Sequence, residues 1–202
     1  MDIGILIFDG AEELDFVGPW EVFTMSNEMF AREDRARPDT VRLIAQSDAP
    51  VRCAKGMRVL PDATMSEING LDVLLVPGGI GTRVLSTDEE MLGWIARIAK
   101  TAQWTTSVCT GAFLLAASGA ARGRRVTTHW RAIEEMHARG WPVDIVSSER
   151  FVVDGNVVTS AGVSAGVDMA LWLVGQWHGE SHARLTQRGM EYYPEPPYQN
   201  EA

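Results

Sequence analysis

Short apolar runs, several ending at glycine or proline, alternate with stretches of helical spacing, and this alternation restricts the chain's fold more than any other feature. "DIGILIF" (2–8) and "DVLLVPGG" (72–79) are apolar almost throughout, which suits strands buried on both faces. "VRLIAQS" (41–47), "WTTSV" (104–108) and "RRVTTHW" (124–130) read as further strands, and "MRVLPDAT" (57–64) as a weaker one. Helical spacing is predicted over 15–30 with Pro19 in the first turn, and over 111–121, 131–140, 164–179 and 180–193. The stretch 86–102 also reads as a helix, with an N-cap candidate at its start, acids in its first turn and a base near its end. "FVVDGNVVTSAG" (151–162) reads as a hairpin around Asp154-Gly155-Asn156. The tail "PEPPYQNEA" is too proline-rich for regular structure. Strands separated by helices predict an α/β fold over residues 1–202 as one domain, with a mainly parallel sheet and helices on both faces. Ligands of such sheets bind at the carboxyl ends of the strands.

The 202 residues suffice for one full core. A net charge of −9 argues against a nucleic-acid surface, which needs clustered Lys and Arg. No apolar run reaches the roughly 18 residues of a membrane span, and the N-terminus opens on an acid where a secretory signal needs bases. Two cysteines without a CxxC, and four histidines without ligand spacing, predict neither a disulfide framework nor a metal site. The expected compartment is reducing cytoplasm.

One cysteine stands at a seam. In "TTSVCTGAFLLAASG" (105–119) a β-branched strand ends at Cys109 and a helix follows, with Gly111 permitting close packing. A thiol at a helix start feels the free N–H groups, which favour thiolate, and the strand-turn-helix context is that of a nucleophile elbow. The alternative is a small buried core filler. Asp15 in "LDFVGPWEVF" is either an N-cap or an aimed general acid/base, and the cap is the simpler reading. Glu12 and Glu13 read as solvated. The backbone of "VPGG", with Gly78 and Gly79, is either a strand-ending turn or a donor pair for developing negative charge. His129 in "TTHW" is either a base for Cys109 or a structural hydrogen-bonding group, the latter being favoured. "SAGVSAGVD" (160–168) is a small-residue crossing, and Cys53 takes no role.

Taken in order, "LDFVGPWEVF", "LDVLLVPGG", "TSVCTGAFLLAASG", "VTTHW", "RFVVDGNVVTSAGVSAGVD" and "EYYPEPPY" resemble the ThiJ/PfpI superfamily of class I glutamine amidotransferase-like proteins, above all its isocyanide hydratase branch. The resemblance implies a flavodoxin-like sandwich, a homodimer, Cys109 as nucleophile, Asp15 as acid/base, and Thr110 as the hydroxyl that orients acid and substrate. Gly79 would face the sulfur, with Gly78 and Trp130 completing the substrate site. The superfamily's proteases carry His after the cysteine; Thr110 here argues against protease activity. The implied reaction adds water to an organic isocyanide, so the partner is a small molecule and no cofactor is needed. The rivals are a glyoxalase or deglycase, a thiol-based stress sensor, and a binding module related to sensor domains of transcription regulators.

Overall fold

The computed structural model describes residues 1–32, 36 and 38–198. In chain order its elements are β1 (Asp2–Leu6), α1 (Glu13–Arg32), β2 (Thr40–Ala45), β3 (Val51–Arg52), β4 (Arg58–Val59), β5 (Ala63–Thr64), β6 (Val73–Val76), α2 (Thr82–Leu85), α3 (Glu89–Ala99), β7 (Trp104–Val108), α4 (Gly111–Ala117), β8 (Arg125–Val126), α5 (Ile133–Arg139), β9 (Asp144–Ile145), β10 (Phe151–Asp154), β11 (Val157–Ser160), α6 (Ala165–His178) and α7 (Glu180–Gly189). Seven strands form one sheet in the order β10-β11-β7-β6-β1-β2-β5. Every pairing in it is parallel except the hairpin β10–β11. That hairpin turns through Gly155 and Asn156, as the sequence predicts. Every residue of β6 and β11 is buried. Helices α1, α6 and α7 pack together as one layer, and α3 and α4 as another. The result is an α/β sandwich around a mostly parallel sheet.

Several predicted boundaries move, each for a local reason. Helix α1 begins at Glu13, so Pro19 lies in its second turn and Asp15 lies inside the helix. Pro19 has no N–H, which leaves the Asp15 carbonyl without its usual helical donor. The weak strand 57–64 splits at Pro61 into β4, paired with β3 in a separate ribbon, and β5 at the sheet's edge. The cap of α3 is Asp88, which accepts from the Met91 amide at 2.9 Å, two residues beyond the predicted start. Helix α4 stops at Ala117, before Gly119 at φ +80°. The strand predicted over 124–130 shrinks to the two residues of β8, which pairs with β9 outside the main sheet. Beyond it, the Thr127 amide donates to Thr159 Oγ1 and the Thr128 hydroxyl to the Cys109 carbonyl. Side-chain bonding of this kind replaces a ladder. Residues 194–198 of the tail carry no helix or strand, and 199–202 lie outside the described residues.

Candidate active site

The parallel register brings the ends of β1, β6, β7 and β11 to one rim: Val76 stands beside Ser107, and Val108 beside Ser160. Cys109 is the first residue past β7. Its φ of 55° is unusual for a non-glycine residue. Its amide donates to the Ser160 carbonyl at 3.0 Å, and its own carbonyl accepts from Thr128. The elbow is thus held from both sides. Gly111 makes it feasible, since a Cβ there would stand 2.1 Å from the Val76 carbonyl.

Asp15 is wholly buried under this elbow. Its Oδ2 accepts from the Gly78 amide at 2.9 Å and its Oδ1 from the Val163 amide at 3.0 Å. It is therefore no helix cap; its side chain ties the ends of β6 and β11 to α1. Val163 adopts φ 44°, a rare conformation for a β-branched residue, to deliver that amide. The Cys109 thiol stands in hydrogen-bonding reach of the same carboxyl. Burial pushes Asp15 up from 3.8 to about 7, against the pull of the Gly78 amide. Burial, and then the Asp15 charge, push the Cys109 thiol up to about 12, while the Thr110 amide and hydroxyl pull the other way. The thiolate expected from the helix start is thus outweighed by desolvation at a residue only 8% exposed. Each group thus holds its proton more tightly than in water, and the two titrations are coupled.

The two glycines are committed differently from either sequence reading. The Gly78 amide serves Asp15 and the Gly79 amide donates to Thr110 Oγ1 at 3.0 Å. Neither is a plain turn and neither is an open donor. A Cβ at Gly78 would meet Thr110 N at 2.5 Å and Asp15 Oδ2 at 2.8 Å. The Thr110 hydroxyl also meets Thr82 Oγ1 at 3.1 Å, so it orients the 79–82 turn and the sulfur rather than Asp15.

A cavity of about 210 Å³ opens over Cys109, with walls from Glu12, Gly79, Ile80, Arg83, His129 and Val163. Trp130 is not among its walls: it is 75% exposed on a short 3-10 turn, with Arg131 against its ring. His129 takes the place predicted for Trp130. Its Nδ1 accepts from the Arg131 amide at 3.3 Å, and burial and Arg131 hold its pKa down. It is bonded to structure, as favoured, yet it also lines the cavity. Glu12, read as solvated, lines the cavity and pairs with Lys55, while its charge pushes up both Asp15 and Cys109. Its one legible signal was its place between a strand's carboxyl end and a helix. Glu13 accepts from the Lys55 amide at 2.7 Å. Arg83 pairs with Glu135 at 2.9 Å and donates to the Gly79 carbonyl at 3.3 Å. Among the described residues no cluster of three His, Cys, Asp or Glu could hold a metal ion, and no helix is long and apolar enough to cross a membrane.

Comparison with known proteins gives a consistent picture. The sequence profile of the DJ-1/PfpI family matches residues 1–176. An isonitrile hydratase of Pseudomonas putida is 36% identical over 199 residues, 98% of this chain and 81% of that protein. An HTH-type transcriptional regulator, CdhR, of Pseudomonas aeruginosa is 28% identical over 178 residues, 88% of this chain, which spans about half (51%) of the regulator's length. A crystal structure of a ThiJ/PfpI family protein from Pseudomonas syringae superposes with a TM-score of 0.88 at 31% identity, over all of this chain and 78% of that one.

Proposed function

The chain belongs to the DJ-1/PfpI family, and we propose that within it the chain is an isocyanide hydratase, converting R–NC and water to R–NH–CHO with Cys109 as nucleophile and Asp15 as acid and base. One observation carries the reading: a thiol on a positive-φ elbow, in hydrogen-bonding reach of a buried carboxyl whose two oxygens are anchored by backbone amides. The likeness to an isonitrile hydratase over nearly the whole chain supports the same chemistry.

Protons balance through one shuttle. The Cys109–Asp15 pair starts with one shared proton. The sulfur attacks the terminal isocyanide carbon, and Asp15 gives that carbon the proton, forming R–N=CH–S–Cys109. Asp15, now ionised, takes a proton from water as the water oxygen adds to carbon, and passes it to nitrogen. The resulting R–NH–CH(OH)–S–Cys109 collapses: Asp15 takes the hydroxyl proton, the C=O bond forms, the C–S bond breaks and the formamide leaves. The one-proton pair is restored. Acid/base transfer of this kind supplies roughly 10²–10⁴-fold, and the covalent intermediate divides what remains of the barrier. The raised Asp15 pKa, about 7, suits a group that must both give and take a proton near neutrality. Thr110 positions the sulfur, and His129 and Arg83 border the substrate.

The test is formamide production from a set of isocyanides by the wild type, Cys109→Ala and Asp15→Asn. The reading requires turnover by the wild type, loss of at least 10³-fold in both variants, and unchanged circular dichroism. Methylglyoxal turnover with no isocyanide turnover would replace it with the glyoxalase alternative.

A further inference from the structure

A second and larger cavity, about 370 Å³, lies at the carboxyl ends of β1 and β2, beside the Cys109 cavity. Its buried walls are apolar: Ile7, Phe8, Ala45 and Val51. Asp9, Gln46 and Ser47, all exposed, edge it. The two cavities share a partition, the segment from Gly79 to Leu85. Gly79, Ile80 and Arg83 face the Cys109 cavity, whereas Gly81, Val84 and Leu85 face the second. On the crest of this partition Ile80 and Val84 are 67% and 74% exposed. Ile80 stands in the turn before α2 and lines the Cys109 cavity, and Val84 stands in α2 and lines the second, so each cavity has an exposed aliphatic side chain on its side of the partition.

Two exposed aliphatic side chains on the rim of a candidate active site are poorly explained by folding, since neither is covered. The partition itself is rigidly held: the Thr82 hydroxyl bonds Gly79 and Thr110, Arg83 is fixed to Glu135, and a Cβ at Gly81 would stand 2.2 Å from the Asp9 carbonyl. The Cys109 cavity is small and partly polar, with Glu12, Arg83 and His129 in its walls. It suits the reacting head of a substrate and little else.

Resting on the hydratase reading of Cys109, we propose that the substrate carries an extended aliphatic R group, which crosses the partition past Ile80 and Val84 and lies in the cavity at the carboxyl ends of β1 and β2. The head reacts at the sulfur, and the tail gains affinity in proportion to the methylenes it removes from water. Each buried methylene is worth about 0.8 kcal/mol, or about fourfold in affinity.

The experiment uses N-methyl-, N-butyl- and N-octylformamide as unreactive probes in calorimetry, and the matching isocyanides in kinetics. Val84→Lys charges the crest and Ala49→Trp fills the second cavity; both positions are exposed, which protects the fold. The wild type is expected to bind the octyl probe at least 10-fold more tightly than the methyl probe. In each variant the octyl-to-methyl ratio, of affinity and of kcat/KM, is expected to fall at least fivefold. An affinity that stops rising at butyl, or a ratio unmoved in the variants, overturns the proposal. Chain-length-dependent binding without turnover of any isocyanide overturns the hydratase reading instead and leaves the tail cavity supported.

Discussion

At the scale of single residues, the site is a contest between desolvation and backbone dipoles, and desolvation wins. Asp15 and Cys109 both bind their proton more tightly than in water, although amides point at both. Glu12 contributes to this from the cavity wall, where Lys55 holds it. Its negative charge disfavours a second negative charge nearby, so its removal must lower the pKa of the pair. Glu12→Gln is therefore expected to move the midpoint of kcat/KM against pH downward from near 7, and Lys55→Met, which leaves Glu12 uncompensated, to move it upward. The rate of Cys109 alkylation by iodoacetamide at fixed pH, in a Cys53→Ser background, follows the thiolate without any substrate and is expected to rise in Glu12→Gln and fall in Lys55→Met. Identical midpoints in all three proteins would remove Glu12 from the account. Cys109 was legible in the sequence because a β-branched strand, a thiol and Thr-Gly announce an elbow locally. For Asp15 the residue pattern alone favoured a cap and only the resemblance singled out its acid/base role; its anchoring was not legible, since its partners Gly78 and Val163 are 63 and 148 residues away and only the fold joins them.

At the scale of elements, glycine decides how closely the layers approach. Helix α4 starts against the end of β6, where Gly111 leaves no room for a methyl group beside the Val76 and Pro77 carbonyls. Backbone on both sides cannot yield cheaply. Gly111→Ala is expected to lower stability by about 1–3 kcal/mol or more, read by urea unfolding, and to displace the elbow, read as a change in Cys109 alkylation rate. A variant as stable as the wild type would show that α4 can slide. The long apolar strands and the 154–156 hairpin were legible because burial and turn chemistry are local signals. The segment 124–130 was not. Its threonines look like a strand, but Thr127 and Thr128 bind Thr159 and the Cys109 carbonyl instead. A sequence pattern registers side-chain type and not the partner that the hydroxyl or amide finds. Pro19 was misplaced for a related reason, since the start of α1 is set by the loop that Glu12 anchors to the Gly78 carbonyl.

At the scale of the whole molecule, the site is built at a cost to the fold. Unfolded, Asp15 ionises near 3.8; folded, near 7. Its contribution to stability is complete below 3.8 and is lost as pH rises through 7, because the folded state resists the charge the unfolded state accepts. The loss is on the order of 4 kcal/mol at pH 8. Melting temperature is thus expected to fall between pH 5 and pH 8, and Asp15→Ala to flatten that dependence. An equal slope in wild type and variant would assign the trend to other groups. The commitment of the Gly78 and Gly79 amides sets a chemical boundary as well. Acyl transfer from peptides or esters builds an alkoxide, which wants paired backbone donors waiting for it, and here that pair already serves a carboxylate and a hydroxyl. An isocyanide asks for a proton on carbon instead, which is what the neighbouring acid has to offer. On the hydratase reading proposed above, the scaffold selects among electrophiles by what it has left unbonded, before the outline of any pocket is consulted.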